Sequence, residues 1–256
     1  MSERNDILEE IAEIVEEHID DIVLCGGLGV YALSQAYEAA VDPEYTEDAD
    51  LIVERVAAKQ KSVSNREKKT LAQILHDNGY KRMTKSLPMI EKGLAEEKWE
   101  KDGSAFYIEF LTHDHNKESH VISNIVAQGL SYFNMSLENA EDISLPSGKT
   151  LRVASAEACI LHKALTFTHR IKDEKKYKDL YYICYIAIVL FSSLEDSRNA
   201  VLELDVLDNW KKRGQGNLIS ILEDIETHAP KIKDQDSEGV LTLKNIEEAL
   251  SALVEN

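Results

Sequence analysis

The chain has 256 residues, 43% of them apolar, and a formal net charge of −18. This length accommodates one compact domain or two small ones, and the apolar fraction supports a hydrophobic core, which excludes wholesale disorder. The negative charge disfavours a simple nucleic-acid-binding module, because a negative field repels phosphates. It is compatible with an enzyme that holds an anionic substrate through divalent cations.

The remaining global features point to the cytoplasm. No apolar run reaches the roughly 20 residues that a membrane helix needs. The polar residues 2–6 have no apolar signal-peptide core behind them. We therefore expect a cytoplasmic protein with no membrane partner. The cysteines are far apart in apolar surroundings, which predicts core residues rather than disulfides or zinc ligands: Cys25, Cys159 and Cys184.

The N-terminal half mixes helical and strand periodicities. Apolar spacing, glycine turns and a strong hairpin signal at Asp102-Gly103 define its elements. In chain order we predict a helix at 5–19, a strand at 22–25, a helix at 28–40, a strand at 49–53, a helix at 64–78, a hairpin of 98–101 with 105–111, and a second hairpin around Pro146 and Gly148 that includes 151–153.

The C-terminal half changes character after about residue 155. Helical periodicity predicts helices at 155–170 and 174–192, a pair within 194–227, and one at 238–254. We therefore predict an α+β fold: a small mixed β-sheet with helices on one side in residues 1–150, and a helical domain in residues 151–256. The active cleft is expected between these two domains.

The most informative stretch for chemistry is the predicted strand that carries Asp48 and Asp50. Side chains alternate along a strand, so these two carboxylates project from one face, about 7 Å apart. Two adjacent carboxylates repel each other unless a cation lies between them. Carboxylate oxygens are ligands that Mg²⁺ prefers, and Mg²⁺ keeps open positions for water and phosphate. Alone, such a pair is weak evidence for a metal site.

Glu109 and the Gly26-Gly27 turn strengthen this hypothesis. Glu109 is the single charge in an apolar strand, where a lone carboxylate is costly unless it is paired or bound to metal. An edge strand with Glu109 facing water is the alternative. Beside Asp48 and Asp50, Glu109 would complete a cluster able to hold two divalent ions. The glycine pair between a strand and a helix would let backbone N–H groups approach a phosphate.

Three motifs together resemble a known superfamily. They are 25–31 (Cys-Gly-Gly-Leu-Gly-Val-Tyr), 46–51 (Thr-Glu-Asp-Ala-Asp-Leu) and 108–112 (Ile-Glu-Phe-Leu-Thr). This order resembles the nucleotidyltransferase superfamily that shares the polymerase-beta-type palm. Within it, the chain is similar to an uncharacterised bacterial and archaeal group related to the toxins of type IV abortive-infection toxin–antitoxin systems. The helical half resembles that group's lysine–arginine–aspartate pattern at Lys163, Arg170 and Asp179.

The resemblance implies a role for each of these residues. Asp48, Asp50 and Glu109 would be catalytic ligands of Mg²⁺ or Mn²⁺. A nucleoside triphosphate would be the substrate, with its phosphates held by the backbone of Gly26 and Gly27. The resemblance also places Thr46, Lys163 and Arg170 at the nucleotide, with Lys163 neutralising the triphosphate. Asp179 would orient Lys163 or the acceptor.

The implied activity is transfer of a nucleoside monophosphate from the triphosphate to a hydroxyl acceptor. The acceptor would be RNA if the protein is the toxin of a pair with a cognate antitoxin protein. Two alternatives stay open: a small-molecule, antibiotic-type nucleotidyltransferase, and a non-catalytic partner-binding protein of the same fold. The chain departs from many relatives at Glu44, where they carry arginine, and at Leu28, where they carry serine. His113 and His115 are predicted to be solvent-exposed loop residues rather than metal ligands.

Overall fold

The structure is a computed structural model that describes residues 3–55, 69–85, 96–104 and 106–255. Within the predicted elements, residues 64–68 of the helix at 64–78 and Ala105 of the first hairpin lie outside the described residues. Contacts divide the chain into two compact units. The sheet unit comprises Met1–Ala32 and Thr46–Ala154, and the helical unit comprises Leu33–Tyr45 and Ser155–Asn256.

In its described residues, the sheet unit is built on a mixed nine-stranded β-sheet. Its main path has the order β3-β4-β5-β2-β1-β9-β8, with β7 paired to β5 and β6 paired to β7. The strands are β1 Ile22–Cys25, β2 Asp48–Val53, β3 Tyr80–Lys85, β4 Glu96–Lys101, β5 Tyr107–His113, β6 His120–Ile122, β7 Ile125–Leu130, β8 Ala140–Ser144 and β9 Thr150–Ala154. The helices that begin in this unit are α1 Glu3–Val15, α2 Gly26–Ala36, α3 Leu71–Asp77 and α4 Phe133–Glu138, and a 3₁₀ segment at Glu16–Asp21 follows α1.

The apolar residues of the central strands explain why these strands are buried. All four residues of β1 are buried, as expected for an apolar strand covered on both faces. In the first halves of β2 and β5 polar and apolar residues alternate, so Ala49 and Ile108, both 0% exposed, face the core while their neighbours face the other side. β2 is antiparallel to β1 and parallel to β5.

The helical unit contains the remaining helices. They are α5 Ala156–Thr166, α6 Asp173–Tyr185, α7 Leu194–Glu203, α8 Asp208–Leu222, α9 Ile225–Lys233 and α10 Leu243–Val254. A short 3₁₀ turn, Phe167–His169, follows α5, and a π-helical turn, Ile186–Leu190, extends α6. Ser155 caps the start of α5 by accepting a hydrogen bond from the Ala158 backbone.

The segment 33–45 belongs to the helical unit because α6 holds its backbone. The hydroxyl of Tyr181 accepts from the Glu44 backbone N–H at 2.9 Å, and the hydroxyl of Tyr182 donates to the Glu44 carbonyl at 3.2 Å. The ammonium of Lys178 donates to the Tyr45 carbonyl at 3.2 Å. The side chains of one helix therefore place the end of the segment that leads into β2.

The predicted α+β class is confirmed, and several elements differ from the sequence prediction. Strands β3, β6 and β7 and helices α4 and α9 were not predicted. The α9 helix carries Pro230, which sequence reasoning treats as a helix breaker. The last helix begins at Leu243 rather than at residue 238, because Thr242 forms a capping box with Asn245.

Within the described part of the chain, no single helix is long and apolar enough to cross a membrane. One pair, Asp173–Leu190 with Leu194–Glu203, meets that description in length and composition when taken together. The two parts are bent by 111° at their junction.

Candidate active site

Four side chains form a row across the sheet, because strand pairing aligns them. Asp50 of β2 lies opposite Cys25 of β1 on one side and opposite Glu109 of β5 on the other. On the next strand, Lys98 of β4 lies opposite Glu109. Directly paired residues share a face of the sheet, so all four side chains project to the same side. Asp48, two residues before Asp50, projects to that side as well.

The three acidic side chains come together on this face of the sheet. Asp48, Asp50 and Glu109 each offer a carboxylate oxygen, and these oxygens lie within 4.8 Å of one another. All three residues are half-buried. The edge-strand alternative for Glu109 does not hold, because β5 is an interior strand between β4 and β2.

Gly26 is required beside this cluster for steric reasons. It is the first residue of α2, directly after β1, and its φ of +69° is in the left-handed region. A Cβ atom built on Gly26 would overlap Oδ2 of Asp50. Any other residue here would displace the Asp50 carboxylate. Gly27, the next residue, lies in the first turn of α2 and is buried.

Thr46 lies at the other end of the cluster. Its hydroxyl donates a close hydrogen bond to Oδ1 of Asp48. The same approach to β2 is tied to β5, since the Tyr107 backbone N–H donates to the Glu47 carbonyl at 3.1 Å. Thr46 therefore orients the Asp48 carboxylate within this structure.

Lys98 was not singled out from the sequence, although it is the basic residue of this row. Its ammonium lies 3.1 Å from Oε1 of Glu109 and 3.5 Å from the centroid of the Tyr107 ring. Burial lowers the pKa of Lys98, but hydrogen bonds with Tyr107 and Glu109 outweigh it and hold the pKa above its usual value. Lys98 is therefore a permanent positive charge at the edge of the acidic cluster.

Lys163, Arg170 and Asp179 form a second cluster inside the helical unit. The Lys163 ammonium lies 2.9 Å from Oδ1 of Asp179, and Nε of Arg170 lies 2.6 Å from Oδ2. Asp179 is buried. Burial raises the pKa of Asp179, but the charges of Lys163 and Arg170 more than offset this and hold the pKa below its usual value. The Lys163 ammonium also lies 4.6 Å from the centroid of the Tyr182 ring. The structure thus groups these three residues as one charged cluster.

Glu44 has a structural role in the helical unit. Its Oε2 accepts hydrogen bonds from the Ser237 backbone N–H at 3.1 Å and from the Ser237 hydroxyl at 2.6 Å. Burial raises the pKa of Glu44, but the hydrogen bonds from Ser237 lower it by more, so the pKa is below its usual value. The acid in place of the relatives' arginine is therefore an anchor for the segment 33–45.

The donor set of the acidic cluster fits a hard divalent cation. It offers carboxylate oxygens alone, which suit Mg²⁺ or Mn²⁺. Among the described residues, no other group of three or more His, Cys, Asp or Glu side chains has ligand atoms close enough to hold a metal. His113 is not a loop residue as predicted: it ends β5 and is half-buried, and burial lowers its pKa. His115 is exposed.

Comparisons with known proteins place this geometry in context. A family model described as nucleotidyltransferase matches residues 5–205, which is most of the chain. Among solved structures, the chain is similar to an antigenic nucleotidyltransferase-like protein from Paracoccidioides brasiliensis. That similarity has 14% sequence identity and a TM-score of 0.45, and it covers 90% of this chain and 92% of the other. It is too distant to bear on substrate or mechanism. A search of curated proteins found no significant match.

Proposed function

This chain belongs to the nucleotidyltransferase family, and from that premise we propose that it transfers a nucleoside monophosphate from a nucleoside triphosphate to a hydroxyl acceptor, in a divalent-metal-dependent reaction that releases pyrophosphate. The carrying observation is the cluster of Asp48, Asp50 and Glu109 on one face of the sheet. Mg²⁺ or Mn²⁺ held by these carboxylates would activate the attacking hydroxyl and stabilise the charge that develops on the phosphate.

The residues around the cluster support the binding of a triphosphate. The backbone of Gly26 and Gly27 begins α2, and helix N-termini bind phosphate through free N–H groups and the helix dipole. Thr46 orients the Asp48 carboxylate through its hydrogen bond. These three residues would bind and align the nucleotide beside the acids.

Lys163, Arg170 and Asp179 would contribute charge and orientation. We assign Lys163 the neutralisation of triphosphate charge, with Arg170 as a second cation for the nucleotide. Asp179 is buried and contacts both cations through its two carboxylate oxygens, so it is suited to hold them in fixed positions.

For the acceptor we propose RNA, on the evidence of a basic face on the helical unit. This face is centred on Lys176 and Lys231, which both approach the Tyr177 ring. Lys172 and Lys175 precede Lys176 at the start of the same helix, and none of these four lysines forms an ion pair with a described residue. In the sheet unit, by contrast, ion pairs hold most of the described lysines and arginines: Arg55, Lys69, Lys81, Arg82, Lys98, Lys101, Lys149 and Arg152. In a chain with a net charge of −18, a concentration of unpaired cations on one unit, as the described residues have it, favours a polyanionic partner.

The basic face gathers like charges around one ring. The ammonium groups of Lys176 and Lys231 lie 5.5 Å and 5.2 Å from the centroid of the Tyr177 ring. The Tyr177 hydroxyl lies 3.0 Å from Nδ1 of His228. Burial lowers the pKa of His228, and the charges of Lys176 and Lys231 add to this effect, while the carboxylates of Asp224 and Asp173 oppose it. Phosphate groups of RNA would relieve the repulsion among these cations.

For the biological role, we propose what the resemblance to abortive-infection toxins implies. A chain of this kind would act as the toxin of a toxin–antitoxin pair by modifying RNA, with a cognate antitoxin protein as its partner. Expression of the chain alone should then arrest growth, and Asp50→Asn should abolish the arrest.

The biochemical test is calorimetric titration with each of the four nucleoside triphosphates, with and without Mg²⁺. Asp50→Asn removes one proposed ligand, and Glu47→Gln, an exposed acid one position before Asp48, is the matched control. We expect Mg²⁺-dependent binding in the wild-type chain and in Glu47→Gln, and none in Asp50→Asn.

A transfer assay with labelled triphosphate then identifies the acceptor. Label incorporated into RNA by the wild-type chain, and reduced in the double variant Lys176→Gln, Lys231→Gln, is the expected result. Label on a small cationic molecule instead of RNA would identify the antibiotic-type activity. A folded wild-type chain that binds no triphosphate would contradict the enzyme proposal and leave a partner-binding protein.

A further inference from the structure

Among the described lysines of the sheet unit, Lys98 differs in that its ion-pair partner belongs to the acidic cluster. Its partner is Glu109, a member of the acidic cluster, and both side chains are largely shielded, with 17% and 23% exposure. The Tyr107 ring packs against the ammonium at 3.5 Å and limits its movement on one side. Lys81, in contrast, pairs with Asp102 in an exposed ion pair.

The register of the sheet holds Lys98 in this position. Lys98 is directly opposite Glu109, and Glu100 is directly opposite Tyr107, in the antiparallel pairing of β4 with β5. Between them Trp99 points to the other face and is fully buried. The buried Trp99 therefore fixes which face of β4 carries the lysine, since a shift of one residue would expose it.

The net charge of the acidic cluster together with Lys98 limits how many metal ions this face of the sheet can hold. The three carboxylates of Asp48, Asp50 and Glu109 carry three negative charges, and the Lys98 ammonium reduces the total to two. One divalent ion neutralises that charge. A second divalent ion would leave these four groups with a net positive charge and would be repelled by the ammonium at close range.

We propose that Lys98 is a positioning residue that takes the place of a second protein-bound metal ion, so that the acidic cluster holds one divalent ion per chain. This inference rests on the metal site of the proposed function. The ammonium fixes the Glu109 carboxylate through Oε1. Any further divalent ion in the reaction would enter with the phosphates of the nucleotide.

The test is a count of bound Mn²⁺ by electron paramagnetic resonance, without nucleotide. Ions bound by Asp50→Asn are subtracted as background, because an acidic surface also attracts cations. We expect one ion for the wild-type chain and two for Lys98→Gln. Lys98→Arg, which retains the charge, should bind one.

Lys101→Gln is the matched control. Lys101 lies on the same strand, on the opposite face, and pairs with Glu10 at 2.7 Å, so its substitution removes the same charge from an ion pair elsewhere. It should bind one ion. If Lys98→Gln does not fold, Lys98→Met keeps the aliphatic stem against Tyr107 and replaces it in the test.

Each outcome separates this inference from the proposed function. Two ions on the wild-type chain, or a count of one in the folded neutral variant, overturn the role of Lys98 and leave the transferase proposal standing. No ion above background on the wild-type chain overturns the metal site itself, and the Lys98 inference with it.

Discussion

Replacing Gly26 with alanine tests whether glycine is required here only for its backbone conformation or also to make room for the Asp50 carboxylate. The φ of +69° is strained for alanine, at a cost of about 1–2 kcal/mol. The new methyl group would also overlap Oδ2 of Asp50, so the carboxylate must rotate or the start of α2 must shift. We therefore expect a moderate loss of stability together with a large loss of metal and nucleotide binding.

Gly148 provides the matched control for this prediction. Its φ is +86°, but a Cβ atom there would meet nothing within 4 Å. Gly148→Ala should therefore carry the same backbone cost without the collision. For a chain of this size, about 1 kcal/mol corresponds to a decrease of roughly 2–4 °C in Tm.

The assay compares Tm by differential scanning calorimetry with Mn²⁺ affinity by titration. Both variants should lose stability, and Gly26→Ala alone should lose Mn²⁺ affinity, by at least about tenfold, or 1.4 kcal/mol. Wild-type Mn²⁺ affinity in Gly26→Ala would refute the argument that the missing Cβ makes room for the Asp50 carboxylate. A comparable loss of affinity in Gly148→Ala would assign the effect to general destabilisation.

Two further predictions concern charged groups away from the metal cluster. Asp179→Asn should lower the free energy of unfolding by about 3 kcal/mol, because it leaves two cations without their buried anion; urea unfolding followed by circular dichroism measures it. The pKa of Asp114 is lowered from 3.8 to about 2, mainly by the hydrogen bond from His120. Burial acts in the opposite direction, and hydrogen bonds from backbone N–H groups lower the pKa as well. Because the folded-state pKa is the lower one, Asp114 stabilises the fold above about pH 4 and loses this contribution as pH falls towards 2. Unfolding titrations at several pH values should show a shallower decline for Asp114→Asn than for the wild-type chain in that window.

Sequence periodicity was sufficient wherever the determining interaction is local. Alternation along β2 depends only on the strand repeat, so the shared face of Asp48 and Asp50 followed from their spacing. The glycine turn after β1 followed from the loss of apolar residues at Gly26, and the α+β class from the change of periodicity near residue 155.

Hydrophobic periodicity could not predict which distant strands pair with each other. Glu109 is opposite Asp50 because β5 pairs in parallel with β2, although α3, β3 and β4 lie between them in the chain. The hairpin signal at Asp102-Gly103 indicated that β4 and β5 pair, but not their register. A two-residue turn there would place Lys98 opposite Tyr107, whereas a longer connection places it opposite Glu109.

The sequence by itself therefore determined the class of fold and the shared face of Asp48 and Asp50, since both depend on local spacing. It also marked Glu109 as the single charge in an apolar strand, and the family resemblance implied its role as a metal ligand. Only the tertiary structure decided that Glu109 joins the cluster from an interior strand and that Lys98 accompanies it. The grouping of Lys163 and Arg170 around Asp179 is equally tertiary. These contacts join residues that are distant in the chain, and burial in a shared core selects them.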